Sequence, residues 1–183
     1  MADGFIRWYK ESGSASSFPG QVRILHRYNV FIAHPETRVT TLISVDGEDI
    51  PVDLERLSWL IESRVAPVNM NWWLSPNVNV VDEFSFEPYG CEIQTFWLDG
   101  LDFEEIEMLR SSVVAAAQEA ATPTRALVCD VHGNTDAESW DSVLLYEGAE
   151  IPGSVDALMV GPHLAERILS MSNAHDLRNV EVL

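Results

Sequence analysis

The chain has 183 residues, enough for one domain of ordinary size with a core that needs no disulfide or metal staple. Its 29 Asp and Glu stand against 11 Lys and Arg, a formal net charge of -18, and 46% of its residues are hydrophobic. Such a chain is globular rather than disordered, and its field repels nucleic-acid phosphates and anionic lipid heads while attracting cationic partners.

The N-terminal residues lack the basic and apolar regions of a secretory signal, and no apolar run approaches a membrane span. A cytoplasmic protein is therefore expected. All basic residues but Lys10 are Arg, which points to a GC-rich bacterial genome. Cys91 and Cys129 each lie in an apolar stretch and read as buried thiols, with no Cys-x-x-Cys or Cys/His spacing for zinc.

Phe5 to Tyr9 reads as a short leading segment before a flexible, Ser- and Gly-rich loop near 12–20. Val22 to Ala33 and Arg38 to Val45 are rich in Val, Ile, Thr and Tyr and read as two strands of a hairpin, turned by His34-Pro35-Glu36-Thr37. Asp53 is a candidate N-cap for a helix whose apolar stripe is Leu54, Leu57, Leu60 and Ile61. Trp72 and Trp73, flanked by Asn69, Asn71 and Asn77, read as a polar loop that offers one Trp as a contact anchor. Val78 to Phe86 is extended, and Cys91 to Leu98 alternates as a strand does.

The longest helix starts at Asp102, which forms a capping box with Glu105. Its predicted stripe is Phe103, Ile106, Leu109, Val113 and Ala117, and acids crowd its first turns, where the helix dipole favours them. Ala126 to Val131 and Trp140 to Tyr146 read as strands around a polar loop. Gly161-Pro162 opens a last helix, and Val180 to Leu183 adds an edge strand. The two Asp-Gly pairs, each ahead of a helix with an acidic start, match only in the Asp-Gly and the helix phase, which reads as coincidence rather than an internal repeat. The expected architecture is a single α+β domain over 1–183: a mixed, largely antiparallel sheet built from hairpins, with about three helices packed on it.

One segment carries a family resemblance. Asp130-x-His132-Gly133-Asn134, following an apolar strand, resembles the first metal motif of calcineurin-like metallophosphoesterases. The resemblance implies that Asp130 and His132 reach a two-metal centre from a strand end. The family's later motifs depart here: Ser154 stands where the family carries Asp, Ala174 is inserted in Asn173-Ala174-His175-Asp176, and only 47 residues follow Asp136. Nucleophile elbows, phosphate-binding Gly loops and His-Glu-x-x-His are absent from the sequence.

The charge distribution is more informative. No Lys or Arg occurs from Val65 through Leu109, a span carrying nine acids, nor from Ala126 through Glu166, which carries eight more. Segregated charge of one sign steers an oppositely charged partner. The expectation is a non-enzymatic acidic binding protein, of the immunity-protein or antitoxin kind, that neutralises a basic protein and uses no cofactor or metal. Its predicted partner-binding residues are Trp72, Trp73, Asp82, Glu83, Glu87, Asp99, Asp102, Glu104, Glu105 and Glu107. The alternatives are a metal-dependent phosphoesterase built on Asp130 and His132, and an assembly subunit that self-associates through Val180 to Leu183.

Overall fold

The computed structural model describes residues 4–11, 18–87, 90–120, 122–171, 177 and 179–183. Nine strands form one sheet: β1 (Phe5–Lys10), β2 (Thr40–Ile43), β3 (Asp49–Val52), β4 (Val68–Ser75), β5 (Val78–Phe86), β6 (Glu92–Trp97), β7 (Thr124–Asp130), β8 (Ala157–Val160) and β9 (Val180–Val182). Their order across the sheet is β3-β2-β4-β5-β6-β1-β7-β8-β9. Every neighbouring pair is antiparallel except β8 and β9, so the expected mixed, largely antiparallel α+β architecture is what forms.

Among the described residues, five helices pack on this sheet rather than about three: α1 (Phe18–Arg27), α2 (Leu54–Ser63), α3 (Phe103–Glu119), α4 (Ser139–Leu144) and α5 (Pro162–Leu169). None of them is long and apolar enough to cross a membrane. On one face, α1, α2 and α3 bury Leu25, Leu57, Leu109 and Val113 against Ile6, Trp8, Trp72 and Phe96. On the other, α4 and α5 bury Trp140, Val143 and Ile168 against Phe5, Tyr9, Ile93 and Leu158. That second core takes no buried side chain from β2 to β5, where the same face carries a polar ladder. Asn79 there donates to Asn71 (2.8 Å), and Asn71 donates to Asp49 (2.8 Å) and Thr41 (3.2 Å).

The local cap signals are realised. Asp53 accepts from the Arg56 amide and starts α2, Asp102 and Glu105 form the reciprocal capping box of α3, and Pro162 occupies the first turn of α5. Both Asp-Gly pairs place the glycine in the left-handed region, Gly47 at φ +80° and Gly100 at +78°. They serve different purposes, since Gly47 turns β2 into β3 whereas Gly100 precedes α3. β3 itself lies in what the sequence suggested was the approach to a helix.

Three assignments are corrected. Much of the predicted strand Val22 to Ala33 belongs to α1, because Phe18, Gln21, Val22 and Leu25 fall at helical spacing and are all buried. Beyond α1 only Phe31 and Ala33 form single bridges, to Trp73 and Thr40. Trp140 to Tyr146 holds α4, not a strand, with Trp140, Val143 and Leu144 inward at i, i+3 and i+4. Trp72 and Trp73 lie on β4, not in a loop, and Pro76 and Asn77 make the turn to β5. The flexible loop predicted near 12–20 falls at 12–17 outside the described residues, and 18–20 open α1.

β1 holds the two cores together. All six of its residues are buried, and it pairs on both edges, with β6 and β7. On the α4 side, the Arg7 guanidinium grips Asp141 through both oxygens (3.1 and 2.9 Å) and donates to Thr95 (2.7 Å). The Tyr9 hydroxyl donates to Asp141 as well (2.7 Å), and burial raises the Tyr9 pKa well above its ordinary value, so the phenol remains a donor. This bidentate pair ties a six-residue helix to the centre of the sheet. Asp141→Ala leaves Arg7 buried without its counter-charge and is expected to cost about 3 kcal/mol of unfolding free energy in urea titrations. Arg7→Met with Asp141→Leu should recover most of that loss.

Candidate functional site

The ten residues singled out from the sequence do not form one surface. Trp72 and Asp82 are fully buried beneath the helices and cannot touch a partner. Their side chains meet each other, with the Trp72 indole N–H donating to Asp82 Oδ2 (2.7 Å). Gln94 Nε2 donates to the same oxygen (2.5 Å). The amide oxygen of Gln94 accepts from Lys10 Nζ (3.0 Å), which also donates to Gln21 Oε1 (3.0 Å). The Lys10 ammonium lies 4.2 Å from the Phe84 ring centre and 4.8 Å from that of Trp8.

The chain's one lysine is therefore the centre of a buried polar cluster on the face under α1. Burial pushes the Lys10 pKa down to about 8, against the pull of Glu92 and Asp82. Burial pushes the Asp82 carboxyl up to about 7, against the hydrogen bonds from Gln94 and Trp72 and the Lys10 charge. Asp82 Oδ1 has no hydrogen-bond partner among the described residues. A proton on that carboxyl relieves the uncompensated charge.

Trp73 points to the opposite face of β4, half-buried, with His34 against its ring at 4.4 Å between centres. Glu83 is half-buried on β5 across from Asn69, and Glu87 accepts from the Tyr146 hydroxyl. The other five acids do converge. Asp99, Asp102, Glu104, Glu105 and Glu107 occupy the turn before α3 and its first turns, and Asp99, Asp102 and Glu104 are exposed. Glu107 pairs with Arg110, and none of the other four has an ion-pair partner among the described residues.

Phe103 stands in the middle of this group and is 75% exposed. The sequence placed it on the apolar stripe of α3. At about 100° per residue it falls well off the face set by Leu109, Ser112, Val113, Ala116 and Ala117, and that phase was a signal available to find it. A large aromatic held in water at a helix start, with five acids within four residues of it in the chain, is the most conspicuous side chain of the acidic span.

The Asp130-His132 segment forms a hydrogen-bonded loop after β7. Asp130 is buried, and its oxygens accept from the amides of Asn134 (3.0 Å) and Thr135 (2.7 Å) and from the Thr135 hydroxyl (2.9 Å). The carboxylate is thus used to close the loop after β7, by accepting from amides four and five residues on. The His132 side chain is 70% exposed, with Nδ1 3.1 Å from Asp156. Residues 172–176, which contain the second motif compared above, lie outside the described residues. Among the described residues, no group of three or more His, Cys, Asp and Glu is placed to hold a metal ion. Cys91 and Cys129 are both buried free thiols, and burial pushes each pKa up to about 12. Comparison with protein-family models, curated proteins and solved structures finds no match to the chain.

The Asp82 cluster has a pH signature. A carboxyl whose folded pKa lies above its unfolded value of 3.8 contributes stability that is present below that value and is lost as pH rises through about 7. In Asp82→Asn the amide keeps an acceptor for Trp72 and Gln94 but cannot ionise. Wild-type stability should therefore fall relative to Asp82→Asn between pH 4 and 8, by roughly 1–3 kcal/mol. Urea midpoints of both proteins across that range measure the effect, and parallel pH profiles would show that Asp82 keeps an ordinary pKa.

Proposed function

We propose that the protein is a non-enzymatic acidic binding protein that neutralises a basic protein partner, in the manner of a bacterial, cytoplasmic immunity protein or antitoxin. The observation that carries this reading is Phe103, 75% exposed on α3 among Asp99, Asp102, Glu104, Glu105 and Glu107. Protein interfaces draw most of their energy from a few aromatic or Arg anchors that become fully desolvated, and a charged rim sets orientation and on-rate. Phe103 supplies such an anchor, and its neighbours supply a rim of one sign.

Further support comes from how little of this charge is spent internally. Among the described residues, the ion-paired acids within Val65 to Leu109 are Glu92, held by Arg64, and Glu107, held by Arg110. Asp102 and Glu105 serve the helix cap through one carboxylate oxygen each, which leaves their charge available at the surface. A helix start normally attracts anions; this one already carries its own, so the net field there is negative. A cationic active site built for phosphates offers the complementary surface, and covering it would block it.

Asp99 and Glu104 lie outside the capping box, so reversing them tests the interface without breaking the helix start. With the basic protein co-purified by the wild type, Asp99→Lys with Glu104→Lys should weaken binding about tenfold or more and flatten its dependence on salt. Phe103→Ala should raise the dissociation rate with little change in salt dependence. Calorimetric or surface-binding titrations at several salt concentrations read both effects. Unchanged affinity and salt slope in all three substitutions would remove this surface from the function.

A further inference from the structure

Half of the exposed large apolar side chains among the described residues lie in one stretch of the chain. They are Val39, Val45, Ile50, Leu54, Trp59 and Val65, on or beside β2, β3 and α2. Exposed apolar residues scattered singly need no explanation, but a concentration of them beside a groove does. The groove lies between the C-terminal half of α2 and the strands β2 and β4. It measures about 310 Å³ and is lined by Leu42, Ile43, Trp59, Leu60, Val65 and Val68. Trp59 is 53% exposed and Val65 85% exposed. Leu42 and Leu60 also pack against the main core, so the groove is a place where that core reaches solvent.

Acids surround it. Glu55 and Glu62 lie four residues before and three residues after Trp59, on the same strip of α2, and both are exposed. Asp49 stands opposite the groove residue Ile43 in the β2–β3 ladder, and Asp46 and Glu48 flank the turn between those strands. From Val39 to Asn69 there are six acids, Asp46, Glu48, Asp49, Asp53, Glu55 and Glu62, against two arginines. Arg64 is engaged with Glu92, and Arg56 lies over the Trp59 ring at 4.2 Å.

This charge selects among the possible occupants. A second copy of the chain would bring the same acids and the same net charge of -18 to the contact. An anionic membrane surface is repelled in the same way. We infer that the groove beside Trp59 is a second docking surface, which takes an apolar anchor side chain flanked by Lys or Arg on a basic protein. It shares with the function proposed above the premise of a basic partner, and it uses a different surface of the molecule.

The test uses labelled synthetic peptides and fluorescence anisotropy. A Leu/Lys amphipathic helix should bind the whole protein, and Ser/Lys and Leu/Glu versions should bind at least about tenfold more weakly. Trp59→Ala should weaken the Leu/Lys peptide about tenfold, and Glu55→Lys with Glu62→Lys should do the same. Both Trp59 and the two Glu are on the solvent side of α2, and circular dichroism checks the fold of each variant. No binding of the Leu/Lys peptide, or a Ser/Lys peptide that binds equally well, would overturn the inference. So would loss of binding in Phe103→Ala with Trp59→Ala unaffected, an outcome that places the cation-binding surface at α3 and leaves the reading above standing.

Discussion

Everything in this fold depends on burying both faces and both edges of β1. A strand that is buried on every side is normally a run of apolar residues, because each polar group placed there must find a partner. β1 instead carries Arg7 to one face and Lys10 to the other. Each cation dictates what must pack against it. Arg7 requires a carboxylate on the α4 side and finds Asp141. Lys10 requires acceptors on the α1 side and finds the amide oxygens of Gln21 and Gln94, with Asp82 behind them. The two networks fix which helix lies over which face and specify the register of β1 with β6 more narrowly than apolar packing alone.

The two clusters differ in how completely they are satisfied. The Arg7 guanidinium meets a carboxylate, a phenol and a hydroxyl in good geometry. The Lys10 cluster meets mainly neutral amides, and one oxygen of Asp82 has no hydrogen-bond partner among the described residues. Burial then costs Lys10 and Asp82 their ordinary ionisation, down to about 8 and up to about 7. In the first cluster burial keeps the Tyr9 phenol a donor, and in the second Lys10 and Asp82 are both pushed toward neutral pH. A protein with so large a surplus of acid thus places a protonatable carboxyl at its centre, where no surface salt can screen it.

At the surface the surplus of acid and the exposed apolar side chains coincide. Phe103 and Trp59 are both aromatic, both on helices of the same face, and both flanked by glutamates within one turn. On a chain of net charge -18, apolar exposure without charge would invite self-association, whereas acids around each aromatic discourage like molecules and admit basic ones.

Helix starts were legible because a cap is a local device. Asp53, the Asp102 and Glu105 pair, and Pro162 act within four residues of themselves, so sequence alone determined where α2, α3 and α5 begin, as it determined the segregation of charge and the mixed, mainly antiparallel α+β class. α1 and α4 were misread because their β-branched and aromatic residues suit strands, and only the packing of one face against the sheet makes them helices. The placement of Trp72, Asp82 and Lys10 inside was decided by tertiary structure alone. The partners that keep a polar group buried lie far along the chain, Gln94 at 84 residues from Lys10 and Asp141 at 134 from Arg7, and no local pattern encodes a distance of that kind.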